Sequence, residues 1–321
     1  MQILLCFLDT GIIFMKIAMT DSDKSTKQII DTAWKKGIVV PGFNIPYLPM
    51  MEPVIRALSE TKTFGLIMVA RLEWIKFKSG TIKSVRDEYE KLKDIRYTRL
   101  HLDHVPVIDE DNFLTDFEQI ISEAIDLGYG SVMIDGSRLS LGENIKKTKI
   151  ITKLAHQTGI PVEAELGAVM GHEDGPLPPY EELFATGKGF TSSGEAKRFI
   201  EETEADWLSV AIGNIHGAIS AATRGEKKIE ARLSIPHLRE INDTVHVPLV
   251  LHGGTGIAKD YLMQSFKHGI AKINIATAIR QPYEKLMNES VKEAQEAVYK
   301  EMIDILTKQI EIAGSAELII N

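Results

Sequence analysis

Eight short apolar runs punctuate the chain: Ile38–Phe43, Gly65–Val69, Arg99–Leu102, Ser131–Ile134, Ile160–Leu166, Trp207–Ile212, Pro248–Leu251 and Lys272–Ile275. Their length and apolar continuity predict buried strands. Between them lie segments with helical spacing of apolar residues, clearest at Phe113–Leu127, Gly142–Gln157 and Lys259–His268. Strand-helix alternation repeated eight times implies a parallel sheet, and eight such units close naturally into an α/β, (β/α)8 TIM barrel. An open doubly wound sheet is the competing arrangement. It would usually carry a Gly-rich fingerprint after its first strand, whereas here that turn reads Phe43-Asn44-Ile45-Pro46.

Two stretches break the rhythm. Ala168–Ser193, rich in Gly, Pro and Glu, is too long for an ordinary connection and is expected to be a mobile, functional loop over the exit of the fifth strand. From Pro282 onward the chain keeps helical periodicity for longer than one barrel helix needs, which predicts extra C-terminal helices. The opening segment Met1–Met19 is apolar, but Asp9 and Lys16 interrupt it and it shows no basic start or small-residue cleavage pattern. An N-terminal arm is therefore expected rather than a signal or anchor. No linker or repeat divides the remainder, so the expected organisation is an arm over 1–25 and one catalytic barrel over 26–321.

Composition narrows the function. With 44% apolar and 26% charged residues the chain has enough apolar surface for a large core. A net charge of −8, with no block of Lys or Arg, argues against a nucleic-acid partner. A phosphorylated ligand would have to be held by local donors. The single cysteine, Cys6, rules out an intramolecular disulfide and fits a cytoplasmic protein without a membrane partner.

In such a barrel the active site lies at the C-terminal ends of the strands. Three histidines fall there: His104 after strand 3, His216 after strand 6 and His252 after strand 7. Far apart in sequence, they converge if the barrel closes, giving three imidazoles with open positions, as a catalytic zinc site requires. Carboxylates gather at the same end, namely Asp103, Asp135, Glu163 and Glu165. A strand has period two, so Glu163 and Glu165 share a face, where one or both could orient ligands or hold a second cation. Ion pairing is an equally good account of Glu163. Gly253-Gly254-Thr255-Gly256 after strand 7 and Asn274-Ile275-Ala276-Thr277 after strand 8 stand at the recurrent phosphate site of barrel enzymes. No strand exit clearly offers a lysine for Schiff-base chemistry, and Lys272 is expected at the opposite end of strand 8.

These residues resemble the class II, metal-dependent fructose- and tagatose-bisphosphate aldolases over roughly Lys36 to Ala316. The likeness is dense in His101-Leu102-Asp103-His104, Met133-Ile134-Asp135-Gly136-Ser137, Val162-Glu163-Ala164-Glu165-Leu166-Gly167, His216-Gly217, His252-Gly253-Gly254-Thr255-Gly256 and Gly314-Ser315-Ala316. The resemblance implies a lyase that cleaves a phosphorylated ketose into dihydroxyacetone phosphate and an aldehyde. By it, His104, His216 and His252 would ligate zinc, or cobalt in its place, with Asp135 and Glu165 able to hold the metal in an alternate position. Asp103 would exchange the C4 hydroxyl proton and Glu173, on the long loop, the C3 proton. Gly217, Gly253, Gly254, Thr255, Asn274 and Thr277 would bind the dihydroxyacetone phosphate half, where a monovalent cation is also often found, with Asn44 as a further substrate contact. A homodimer or homotetramer is implied.

Departures from the pattern cluster on the variable half of the substrate. They are Ala70-Arg71-Leu72-Glu73-Trp74 after strand 2, where Arg71 could hold a second anion or pair with a nearby Glu, the acidic insertion Val105–Asp111, and His172 on the long loop. Ala276 resembles tagatose-type members, while Asn214 looks more like fructose-type ones. Fructose 1,6-bisphosphate is the default substrate, tagatose 1,6-bisphosphate its epimeric rival. The alternatives are an aldolase for another modified ketose 1-phosphate and a non-catalytic sugar-phosphate-binding barrel.

Overall fold

The computed structural model describes residues 24–167, 180–214 and 231–320. Eight parallel strands close a barrel in sequence order: β1 (Val40–Asn44), β2 (Gly65–Ala70), β3 (Thr98–Pro106), β4 (Ser131–Asp135), β5 (Val162–Leu166), β6 (Trp207–Val210), β7 (Leu249–Leu251) and β8 (Ile270–Ile275). Closure is made by β1, whose Gly42 is in register with Leu66 of β2 on one side and Asn274 of β8 on the other. Every predicted strand is present. The C-terminal excess is helical as expected, with helices at Thr277–Leu286, Val291–Asp304 and Ala316–Ile319. Among the described residues no helix is long and apolar enough to cross a membrane. The expected arm falls almost wholly outside the described residues, as do residues 168–179 of the long loop.

Two apolar layers hold the barrel. Outward-facing strand residues such as Phe43, Ile67, Leu102, Ile134 and Leu251 pack under the helices in the main core. A second cluster fills the N-terminal end of the barrel, where the helix Thr26–Lys36 contributes Ile29, Ile30 and Ala33 against Val40, Leu66, Met68, Trp207 and Val250. Ala316 and Ile319 of the last helix close the same end. At Gly42 a Cβ would lie 2.3 Å from Met68 Sδ, so the thioether occupies the space that the missing side chain leaves. With one end sealed by hydrocarbon, inward polar side chains collect at the other.

Two local expectations are corrected. The helix predicted over Phe113–Leu127 begins at Phe117 instead. The Asp109 carboxylate accepts the backbone N–H groups of Asp111 and Phe113, and a bridge joins Ile108 to Leu114 antiparallel, so those residues form a tight turn and leave Phe113 and Leu114 exposed. Lys272 is the third residue of β8 rather than its start, and its side chain is wholly buried inside the barrel.

Candidate active site

Period two sets which strand residues face inward. On β3 these are His101 and Asp103, on β5 Glu163 and Glu165, and on β8 Lys272 and Asn274, and their side chains meet one another across the barrel. After Asp103 the ladder between β3 and β4 slips, and His104 takes a left-handed backbone with φ 22°. Such a bulge re-aims a side chain. It turns His104 toward the mouth, where its ring lies edge-on to His252 with centroids 4.4 Å apart.

Around these two imidazoles stand the predicted carboxylates. His104 Nδ1 is 3.3 Å from Asp135 Oδ2 and 3.9 Å from Glu165 Oε2, while His252 Nδ1 is 3.3 Å from Glu165 Oε2. His252 Nε2 donates to Glu163 Oε1 at 2.8 Å. Asp135 is held by Ser137, whose N–H and Oγ both donate to Oδ1, and the Glu165 backbone by Asn144 Nδ2 at 3.0 Å. Asp103, His104 and His252 present ligand atoms within 4.8 Å of one another, as do His104, Asp135 and Glu165. His216, Gly217 and Glu173 lie outside the described residues.

Asp103 is clamped. Asn44 Nδ2 donates to one carboxylate oxygen and Asn274 Nδ2 to the other, each at 2.9 Å. Asn214, at the exit of β6, donates to the backbone carbonyl of His252 at 3.1 Å. The turn after β7 needs its glycines: Gly253 and Gly256 have φ 70° and 103°, and a Cβ on Gly254 would meet Ile273 at 2.7 Å. The Gly254 N–H is engaged with the Asn274 carbonyl, but the Thr255 hydroxyl oxygen is buried with no hydrogen-bond partner among the described residues. Thr277 opens the helix after β8. Arg71 pairs not with a Glu but with Asp109 of the insertion, at 3.4 Å, because the Asp109 turn folds back over the exit of β2.

Three participants were not assigned a role from sequence. Lys272 Nζ lies 2.8 Å from Glu163 Oε2 and donates to Asn274 Oδ1 at 2.6 Å. His101 accepts or donates at Ser131 Oγ through Nδ1 at 2.8 Å and turns Nε2 toward Glu163 and Asp103. Glu73 caps the helix after β2 by accepting the Ala70 N–H at 2.7 Å, and its Oε2 lies 3.5 Å from Asn44 Nδ2. The period-two argument used for Glu163 and Glu165 applies equally to Lys272 and Asn274, and it was the available signal for Lys272.

The electrostatics follow from this crowding. Burial opposes charge on every member, yet Asp103, Asp135 and Glu165 outweigh it at His104 and hold that imidazole protonated up to about 10. Against the same burial, His104 and Lys272 keep Asp103 well below the usual carboxylate range. For Glu163 burial is overcome by Lys272 and His252, and its pKa falls to about 2. His101 goes the other way, pushed down to about 3 by burial and Lys272. Burial dominates at Glu73, reinforced by the Asp103 charge, and raises it to about 8. Mutual neutralisation thus leaves an ionised carboxylate at Asp103 beside two imidazoles, and a divalent metal would take the place of the His104 proton as the positive charge among these carboxylates.

The family model for class-II fructose-bisphosphate aldolase matches residues 24–317. A fructose-bisphosphate aldolase of Streptococcus pyogenes serotype M3 is 31% identical over 281 residues, which is 86% of each chain. Among solved structures, a candidate fructose-1,6-bisphosphate aldolase from Coccidioides immitis superposes with TM-score 0.72 at 25% identity, over 92% of this chain and 99% of its own. The YdjI aldolase of Escherichia coli K12 superposes with TM-score 0.68 at 26% identity, over 89% and 98%.

The raised pKa of Glu73 carries a pH dependence. Folded protein keeps this proton up to about 8, whereas the unfolded chain loses it near the ordinary carboxyl value, so the stabilisation is complete below that value and is lost as pH rises through about 8. Glu73→Gln cannot titrate. In metal-free protein its stability relative to the parent should rise between pH 5 and pH 9, by ~1 kcal/mol or more, as read from urea midpoints. A difference that does not change with pH contradicts the assignment.

Proposed function

Because the chain belongs to the class-II fructose-bisphosphate aldolase family, a family of metal-dependent lyases, we propose that it cleaves ketose 1,6-bisphosphates reversibly to dihydroxyacetone phosphate and glyceraldehyde 3-phosphate. Fructose 1,6-bisphosphate is the first choice because Asn214 resembles fructose-type members, and tagatose 1,6-bisphosphate is kept as the second because Ala276 leaves no polar side chain at that position to read a sugar hydroxyl. The observation that carries the reading is the double clamp on Asp103 beside His104 and His252. Mere binding of a sugar phosphate does not require a carboxylate held ionised and fixed in direction.

His104, His252 and, from the undescribed segment, His216 would hold the metal, with Asp135 and Glu165 beside them as alternate ligands. The fit rests on donor chemistry: His252 donates Nε2–H to Glu163, which leaves Nδ1 as the nitrogen directed at Glu165 and the shared centre. When bound, zinc or cobalt would supply a Lewis acid against the negative charge that develops as C3–C4 breaks. Asp103 takes the proton of the C4 hydroxyl, its two oxygens kept in place by Asn44 and Asn274. Glu173 returns a proton at C3. Asn274, Thr277, Gly217 and the turn Gly253-Gly254-Thr255 bind the dihydroxyacetone phosphate half, the buried Thr255 hydroxyl being an available donor for a phosphate oxygen and a monovalent cation a further neutraliser of its charge. Arg71, already paired with Asp109, would reach the distal phosphate only by exchanging that partner. We take residues 26–321 as one catalytic domain with 1–25 as an arm, acting as a cytoplasmic homodimer or homotetramer.

The test is release of dihydroxyacetone phosphate from a small panel of phosphorylated ketoses. Activity should vanish on chelation, return with Zn²⁺ or Co²⁺, and survive borohydride with no lysine adduct. Full turnover in metal-stripped protein contradicts the proposal.

Separate variants should divide the roles. Asp103→Ala should keep its metal while kcat falls ~10²-fold or more, the usual worth of a placed acid/base. His252→Ala should instead lose metal by elemental analysis. Near-normal turnover in Asp103→Ala would remove that residue from the mechanism.

A further inference from the structure

Lys272 has no part in the chemistry above, yet it is wholly buried and touches two residues that matter. Its ammonium lies 2.8 Å from Glu163 Oε2 and donates to Asn274 Oδ1 at 2.6 Å. An Asn side chain has an oxygen and a nitrogen of nearly equal size, so a neighbour must decide which way round it sits. Here the ammonium binds the oxygen, and the NH2 is thereby turned to Asp103 Oδ1 at 2.9 Å. Reversed, the amide would set its carbonyl oxygen against a carboxylate.

We infer that Lys272 is a positioning residue for Asp103, acting through the Asn274 amide, and that Glu163 holds the ammonium in place for that purpose. Asn44 fixes the other Asp103 oxygen by its own donation at 2.9 Å. Glu163 meanwhile accepts from His252 Nε2 with its second oxygen, so one buried ion pair ties the base to a histidine of the candidate metal centre. The neighbouring group His101, Asp103 and Glu163 has the spacing of a cation site, and the lysine ammonium already stands against its Glu163 oxygen. The site thus carries a covalently attached cation on one side of Asp103 and the candidate metal centre on the other. A purely structural role, neutralising Glu163 so that the barrel can fold, is the competing account.

The inference rests on the proposed role of Asp103 in C4 hydroxyl proton transfer, and two reactions separate the possibilities. Cleavage of the ketose bisphosphate needs that transfer, whereas exchange of the C3 proton of dihydroxyacetone phosphate with solvent does not. In metal-loaded enzyme, Lys272→Met should lower kcat for cleavage by ~10²-fold, and C3 exchange by far less, with bound metal close to that of the parent. Lys272→Gln, which can still donate to the Asn274 oxygen, should recover ~10-fold of the loss, about one hydrogen bond's worth. If Lys272→Met does not fold because Glu163 loses its buried cation, the Lys272→Met/Glu163→Gln pair keeps the interior neutral and is measured instead, with Glu163→Gln alone as its reference. Equal loss of exchange and cleavage, loss of metal, or unimpaired cleavage overturns the inference. Asp103→Ala is the reference: if it fails to separate the two reactions, the reading of Asp103 falls and this inference with it; if only the lysine variants fail to, the inference alone falls.

Discussion

Neutralising buried carboxylates is the constraint that organises this barrel. Asp103, Glu163 and Glu165 are almost entirely buried, and Asp135 stands at the rim beside them. Leaving even one of these charges unpaired in such surroundings costs several kcal/mol, and breaking a buried pair ~3–5 kcal/mol. Each is met by a specific partner: Lys272 and His252 for Glu163, His252 and Ser209 for Glu165, His104 and Ser137 for Asp135, and two asparagine amides for Asp103. The groups that make a metal centre plausible are therefore also those that allow the polar end of the barrel to fold.

This arrangement depends on the asymmetry of the barrel. Hydrocarbon from Ile29, Ile30, Trp207 and Ile319 seals the N-terminal end and excludes water from beneath the site. In that low-dielectric floor the Lys272–Glu163 pair acts over short distances, and hydrogen bonds to charge are strong. The slip in β3 converts regular strand into a bend at one residue, so that consecutive residues, Asp103 and His104, serve different tasks. Asp103 points into the barrel to its asparagines, and His104 turns to the mouth.

Much of this was legible in the sequence because periodicity reports burial directly. All eight strands were found as apolar runs, and the site was placed at their exits by the rule of the fold. Local polar chemistry was harder to read. The Asp109 turn that unwinds Phe113 and Leu114 from the following helix, and that captures Arg71, depends on a carboxylate folding onto its own backbone, which competes with a good apolar helical pattern. Lys272 reads as the start of its strand from sequence because the two residues that open β8, Ile270 and Ala271, fall outside the apolar run taken from Lys272, an end effect of two residues. Glu73 was passed over as part of an unfamiliar turn. Its contact with Asn44, the residue that also donates to Asp103, spans twenty-nine residues of chain, which no local pattern contains.

The central claim is that His104 and His252 form one metal centre with His216. Anomalous diffraction from crystals of the zinc-loaded protein tests it without reference to turnover. The account predicts one strong peak within coordination distance of all three imidazoles, with Asp103 bound to Asn44 and Asn274 rather than to the ion. A peak seated instead among His101, Asp103 and Glu163, or one with His216 elsewhere, would contradict it.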